Sequence, residues 1–174
     1  MNHENSPNQP SHTLSVAITG SGGSGVVTAG QMLLTAVAKA GFYGLMGRSA
    51  GPQIRGGESA VMLRTGDRPI ECLDDHFEIL IALDWLNVSR FAEEIPLTTN
   101  SLIICDPDSG EIPEAIASHG AQVMELPLNT MTREIDGGRV NMIALGVISD
   151  MLGIPEEAML SVVSTMLSRK GEDI

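Results

Sequence analysis

The sequence is poor in cysteine, in histidine and in positive charge, and it has no long apolar run. Cys72 and Cys105 are its cysteines. Two thiols cannot ligate a four-cysteine iron–sulfur cluster. They lie far apart, each beside a strand-like run, and inert buried thiols are the simplest role for them. A disulfide is not expected in a reducing compartment. The four histidines are scattered and lack metal-ligand spacing. Lys and Arg number 10 against 22 Asp and Glu, a net charge of −12. That balance excludes nucleic acid as an expected partner. No apolar stretch approaches bilayer length. The opening "MNHENSPNQPSH" lacks the apolar core of a signal peptide, so a cytoplasmic protein is expected. Nucleophilic catalysis finds no foothold: there is no G-x-S-x-G, no cysteine–histidine pairing and no acid pair at helical spacing in a glycine loop.

What is present fits one domain. The 174 residues suffice for a real core, and 43% are hydrophobic. Residues 1–13 form a polar arm too hydrophilic to fold alone. Residues 14–168 form the domain, and 169–174 form a connector ahead of an expected downstream domain.

Along the chain, strand patterns alternate with helix patterns. "LSVAIT" (14–19) is a buried strand feeding a glycine turn, and 24–40 has helical apolar spacing closed by Gly41. Strand, turn and helix make the first half of a βαβ unit. Phe42–Met46 is a second strand, followed by a stretch too glycine-rich for regular structure. Ser59–Thr65 and Arg68–Leu73 flank Gly66-Asp67 and predict a β-hairpin. Strands follow at 77–84, 101–106 and 121–127. Helices are expected near 85–94, at 112–119, at 141–153 and from Pro155 to about Ser168. The reading is an α/β fold: a single Rossmann-like domain, with a mainly parallel sheet, helices on both faces and a hairpin.

Three glycine stretches carry candidate chemistry. The first contains Gly20, Ser21, Gly22, Gly23, Ser24 and Gly25, with G-x-G-x-x-G spacing from Gly20 to Gly25. Its glycines permit positive φ and close backbone approach, and the helix behind it offers N–H groups suited to phosphate. A dinucleotide site also needs an acid at the end of the second strand. Here that region, "AGFYGLMGRSAG", has no Asp or Glu, and its first charge is Arg48. A 2′-phosphate on Arg48 leaves an NADP-binding reading open, and tight packing without ligand is open too. The second stretch, "GRSAGPQIRGGESAVMLR", brings Arg48, Ser49, Arg55, Gly56 and Gly57. From Lys39 to Arg64 its only acid is Glu58, so it is a local cationic segment suited to an anion or an interface. If the two loops meet at the carboxyl ends of the strands, their backbone and arginines converge on one crevice. The third stretch, "EIDGGRVN" (134–141), precedes a helix, with Asn141 as N-cap or ligand donor. Asp84 is a candidate by its position at a strand end, and Asp74-Asp75-His76 is a polar strand entry.

Together "GSGGSGVVTAGQML", "RSAGPQIRGGESAVMLR", "FEILIALD" and "NMIALGVI" resemble the gamma domain of the 2-oxoacid:ferredoxin oxidoreductases. The resemblance runs from Gly20 to Ile148. The ending "SRKGEDI" looks like the connector where this domain is fused ahead of an alpha domain in 2-oxoglutarate-type enzymes. A free gamma subunit, or a subunit of an indolepyruvate enzyme, is the alternative within the family. The resemblance implies oxidative decarboxylation of a 2-oxoacid to acyl-coenzyme A with reduction of ferredoxin. Thiamine diphosphate, Mg²⁺ and iron–sulfur clusters are then expected only in companion alpha and beta domains. This domain has no turnover alone and no metal of its own. It contributes to assembly and to coenzyme A binding, through the glycine turn and the stretch from Arg48 to Gly57.

Overall fold

The computed structural model describes residues 12–52 and 57–171. The expected arm falls largely outside them, and so do Arg55 and Gly56. Strand β1 (Thr13–Ser21) leads into helix α1 (Val26–Lys39), then β2 (Tyr43–Ala50) and β3 (Glu58–Gly66). The rest is β4 (Ile79–Ala82), a 3-10 turn at Val88–Phe91, β5 (Leu102–Cys105), α2 (Glu114–Ala117), β6 (Gln122–Glu125), α3 (Leu128–Arg133), α4 (Val140–Met151) and α5 (Glu156–Gly171). The six strands form one sheet in the order β2-β3-β1-β4-β5-β6. β1, β4, β5 and β6 run parallel to one another, while β3 lies antiparallel between β2 and β1. The domain is α/β and consistent with a Rossmann-like fold.

Alternation along each strand sends side chains to two separate cores. Val16 and Ile18 of β1, with Val61 and Leu63 of β3, face α1, α4 and α5, where Met32, Leu33, Leu145 and Ile148 are buried. Ala17, Ala60 and Met62 face the other way, onto Phe77, Trp85, Val88, Phe91 and Ile116. Long helices therefore cover one face. The 3-10 turn, α2 and their loops cover the other.

The hairpin exists, but not where turn chemistry predicts it. β3 is paired on both sides, by β1 and by β2, so a strand at 68–73 has no edge to join. Pro69 also lacks a ladder N–H. The hairpin is β2–β3, closed at Gly51 N–H to Glu58 O at 2.8 Å. β2 thus continues to Ala50, beyond Met46. The helix expected at 85–94 shrinks to the 3-10 turn Val88–Phe91, entered through Asn87 at φ +56°. The one expected at 112–119 shrinks to Glu114–Ala117, behind Pro113. α3 has no counterpart in the sequence pattern. α5 continues past Ser168 to Gly171, into the expected connector. No helix among the described residues is long and apolar enough to cross a membrane.

Candidate functional site at the glycine turn

β1 ends in Ser21, and the chain reverses through Gly22 and Gly23 into α1. Gly23 and Gly25 stand at φ +95° and +88°. That region is cheap for glycine alone, which explains the residue type at both positions. Ser24 folds back on the turn: its N–H and its hydroxyl both donate to Ser21 O, at 3.1 and 2.6 Å. Ser24 therefore does not cap α1. The helix has no side-chain cap bond and no acid in its first turn. Its first N–H groups are left for solvent or a ligand.

The Ser21 end of the turn is already committed. Asp84, just beyond β4, accepts from Ser21 N–H at 2.9 Å and from Ser21 Oγ at 2.8 Å. Its other oxygen accepts from Leu86 N–H at 3.0 Å. Opposite Ser21 in the sheet stands Glu58, which is buried and takes long bonds from Asn87 (3.4 Å) and Arg90 (3.3 Å). Asp84 and the Arg90-paired Glu58 thus flank Ser21 on this face, and Ser21 offers no free donor to an anion there.

The other side of the turn is open. A cleft of about 930 Å³ lies between Gly23–Gly25 and the third glycine stretch, Asp136–Asn141. Thr28, Met32, Met142, Ile143 and Leu167 are also among its walls. α4 starts at this cleft. Like α1 it has neither a side-chain cap bond nor an acid in its first turn. Two uncapped helix N-termini, each a partial positive charge, therefore meet one cavity. Arg139, exposed at the N-cap of α4, lines it as well, and so does Asp136. Arg139 makes no ion pair among the described residues.

The expected site residues divide accordingly. Gly23, Ser24 and Gly25 line the cleft. Gly20 is strand, and Ser21 is turned away to Asp84. Gly22 is exposed in the turn. The second stretch does reach the same end of the sheet, since Ala50, Ser59 and Gly20 lie in one row across β2, β3 and β1. Arg48 is exposed on β2, in a row with Val61 and Ile18, on the α1 side of the sheet. Ser49 is half-buried on the opposite side, in the row of Ala60. Gly57 is buried next to Glu58. Asn141 is not an N-cap. Arg139 holds that position, and the Asn141 amide donates to Gly25 O at 3.2 Å. The sequence pattern does not mark Arg139 or Glu58 as site residues, although the Gly137-Gly138 pair ahead of a helix hints at the first.

Cys105 is buried and Cys72 exposed. Burial pushes the Cys105 thiol above its ordinary pKa, and Glu125 and Asp106 push it the same way. It is an inert core thiol. Among the described residues, no group of three or more His, Cys, Asp or Glu could hold a metal.

A family model described as pyruvate ferredoxin/flavodoxin oxidoreductase matches residues 15–174. The chain belongs to that family. Its fold is that of the gamma subunits and domains of 2-oxoacid:ferredoxin oxidoreductases. A 2-oxoglutarate:ferredoxin oxidoreductase from Magnetococcus marinus, solved with 2-oxoglutarate, coenzyme A and succinyl-CoA bound, superposes with a TM-score of 0.76 at 24% identity over 95% of this chain. The chain spans 29% of the length of that protein's chain. The gamma subunit of a keto/oxoacid ferredoxin oxidoreductase from Geobacter sulfurreducens PCA gives 0.67 at 22% identity, covering 87% of this chain and 85% of its own. A pyruvate oxidoreductase subunit from Thermotoga maritima gives 0.65 at 19%, covering 88% and 85%. No curated protein matches the sequence.

Proposed function

We propose that this chain is the gamma component of a thiamine-diphosphate-dependent 2-oxoacid:ferredoxin oxidoreductase, and that it supplies part of the coenzyme A site. One observation carries the coenzyme A assignment: the cleft where the turn Gly23–Gly25 meets Asp136–Asn141, fed by two uncapped helix N-termini and Arg139. Coenzyme A offers a pyrophosphate and a 3′-phosphate to such N–H groups and an apolar-walled path for its flexible arm. The M. marinus enzyme, which has coenzyme A and succinyl-CoA bound, supports this choice and a 2-oxoglutarate-type substrate. Thiamine diphosphate, magnesium and the iron–sulfur clusters belong to alpha and beta partners, which also pass electrons to ferredoxin. This chain binds and orients; it does no chemistry alone. The setting is cytoplasmic.

Gly23→Asp tests the reading. The left-handed backbone tolerates Asp better than most residues. An added Cβ meets nothing within 4 Å, so the new carboxylate has room, at the cost of some backbone strain at φ +95°, and repels an anion. In the complete enzyme the KM for coenzyme A should rise by about tenfold, equivalent to about 1.4 kcal/mol. Arg55→Ala should raise it in the same direction. An unchanged KM with intact assembly would remove the coenzyme A role.

A second reading is a purely structural subunit whose loops dock on partners. The commitment of Ser21 to Asp84 favours it, because both donors of that residue are spent inside the fold. Under it, the same substitutions weaken co-purification with the partners and leave coenzyme A kinetics alone.

A further inference from the structure

Asn141 sits in the first turn of α4, where it does not cap the helix. Asparagine is a poor helix former, so nothing local to α4 favours it there. The residue is nevertheless only 5% exposed. It packs on Gly25, 116 positions earlier, and donates from Nδ2 to the Gly25 carbonyl at 3.2 Å. A Cβ on Gly25 would collide with this amide, so the two residues match in shape as well as in polarity. The same Gly25 carbonyl accepts Ala29 N–H at 2.9 Å, the first helical bond of α1. The amide therefore grips the peptide at which the glycine turn becomes helix. Asn141 also lines the cleft. One side chain ties the two glycine-bearing walls together.

We propose that Asn141 is a positioning residue of the coenzyme A cleft. It holds the turn Gly23–Gly25 against the stretch Asp136–Val140, so that the free N–H groups at the start of α1 are aimed before the ligand arrives. This rests on the reading of the cleft given above. Preorganised donors cost nothing to reorganise on binding, and displacing them by a fraction of an ångström loses affinity.

The test uses the complete oxidoreductase with Asn141→Leu, a near-isostere with no charge and no donor, and Asn141→Ser, which is too short to reach Gly25. The Gly25 carbonyl keeps its Ala29 bond in both, so the fold has an anchor left. The KM for coenzyme A should rise about fivefold in each, with the KM for the 2-oxoacid within about twofold of wild type. Amide exchange at Ser24–Val26 should quicken. A lowered melting temperature with both KM values unchanged would overturn the proposal and leave Asn141 a packing residue. Gly23→Asp separates the two levels of inference. If it leaves the KM for coenzyme A unchanged, the reading of the cleft fails. If it raises that KM while neither Asn141 variant does, the positioning role alone fails.

Discussion

At the scale of single residues, the glycine turn is held by partners far away in sequence. Asp84 gathers three donors, two from Ser21 and one from Leu86. Hydrogen bonds to a charged acceptor are the stronger class, and losing them leaves Ser21 N–H without a protein partner. Asp84→Ala should destabilise the domain by about 2 kcal/mol in urea unfolding. A change within about 0.5 kcal/mol, the ordinary scatter for surface positions, would mean that Asp84 does not brace the turn. The sequence places Asp84 at a strand end and places glycines at the turn. It does not reveal their bond, because the two residues lie 63 positions apart. The same holds for Asn141. As a polar residue near a helix start it is most simply an N-cap, and only the packing of α4 beside α1 gives its amide a different acceptor.

At the scale of elements, local periodicity made β1, α1, β4, β5, β6, α4 and α5 legible within a few residues. β2 was only half legible, for a physical reason. Its sequence "YGLMGRSA" carries glycines that ordinarily signal a loop. In the sheet a Cβ on Gly44 would stand 2.7 Å from Leu34 Cδ1, and one on Gly47 2.9 Å from Leu73 Cδ1, contacts that a leucine methyl can relieve by a small shift. They sit in paired strand positions and not in a turn. Gly30 in α1 is a tighter case, with Val61 Cγ1 2.5 Å from the place of a Cβ. Alanine there gains about 1 kcal/mol of helix propensity. It also forces α1 off β3 in a closely packed core, which costs about 1–3 kcal/mol. Gly30→Ala should therefore lower stability by about 1 kcal/mol in denaturant unfolding. A stabilised variant would show that α1 has slack over the sheet.

At the scale of the whole molecule, the sheet order decides against a dinucleotide. In a dinucleotide-binding fold, the strand after the first helix lies next to β1 and ends in the ribose-binding acid. Here β3 intervenes between β1 and β2. The end of β2 is thereby moved from about 4.8 Å to about 10 Å from β1, and it carries Arg48 and Ser49 with no acid. Titration with NADPH should give no saturable fluorescence change, and a saturable one would restore the NADP reading. The missing acid was visible in the sequence, whereas the intervening strand was not. The cleft was half visible, since its turn was marked by glycine spacing while its opposite wall comes from more than a hundred residues later.

In the proposed function, coenzyme A binds this chain at the cleft between the glycine turn and the start of α4. Hydrogen–deuterium exchange of the complete oxidoreductase, with and without coenzyme A, tests it most directly. Exchange should slow on adding coenzyme A in segments 22–28 and 136–142 of this chain. Binding to the enzyme with no protection in either segment would contradict it.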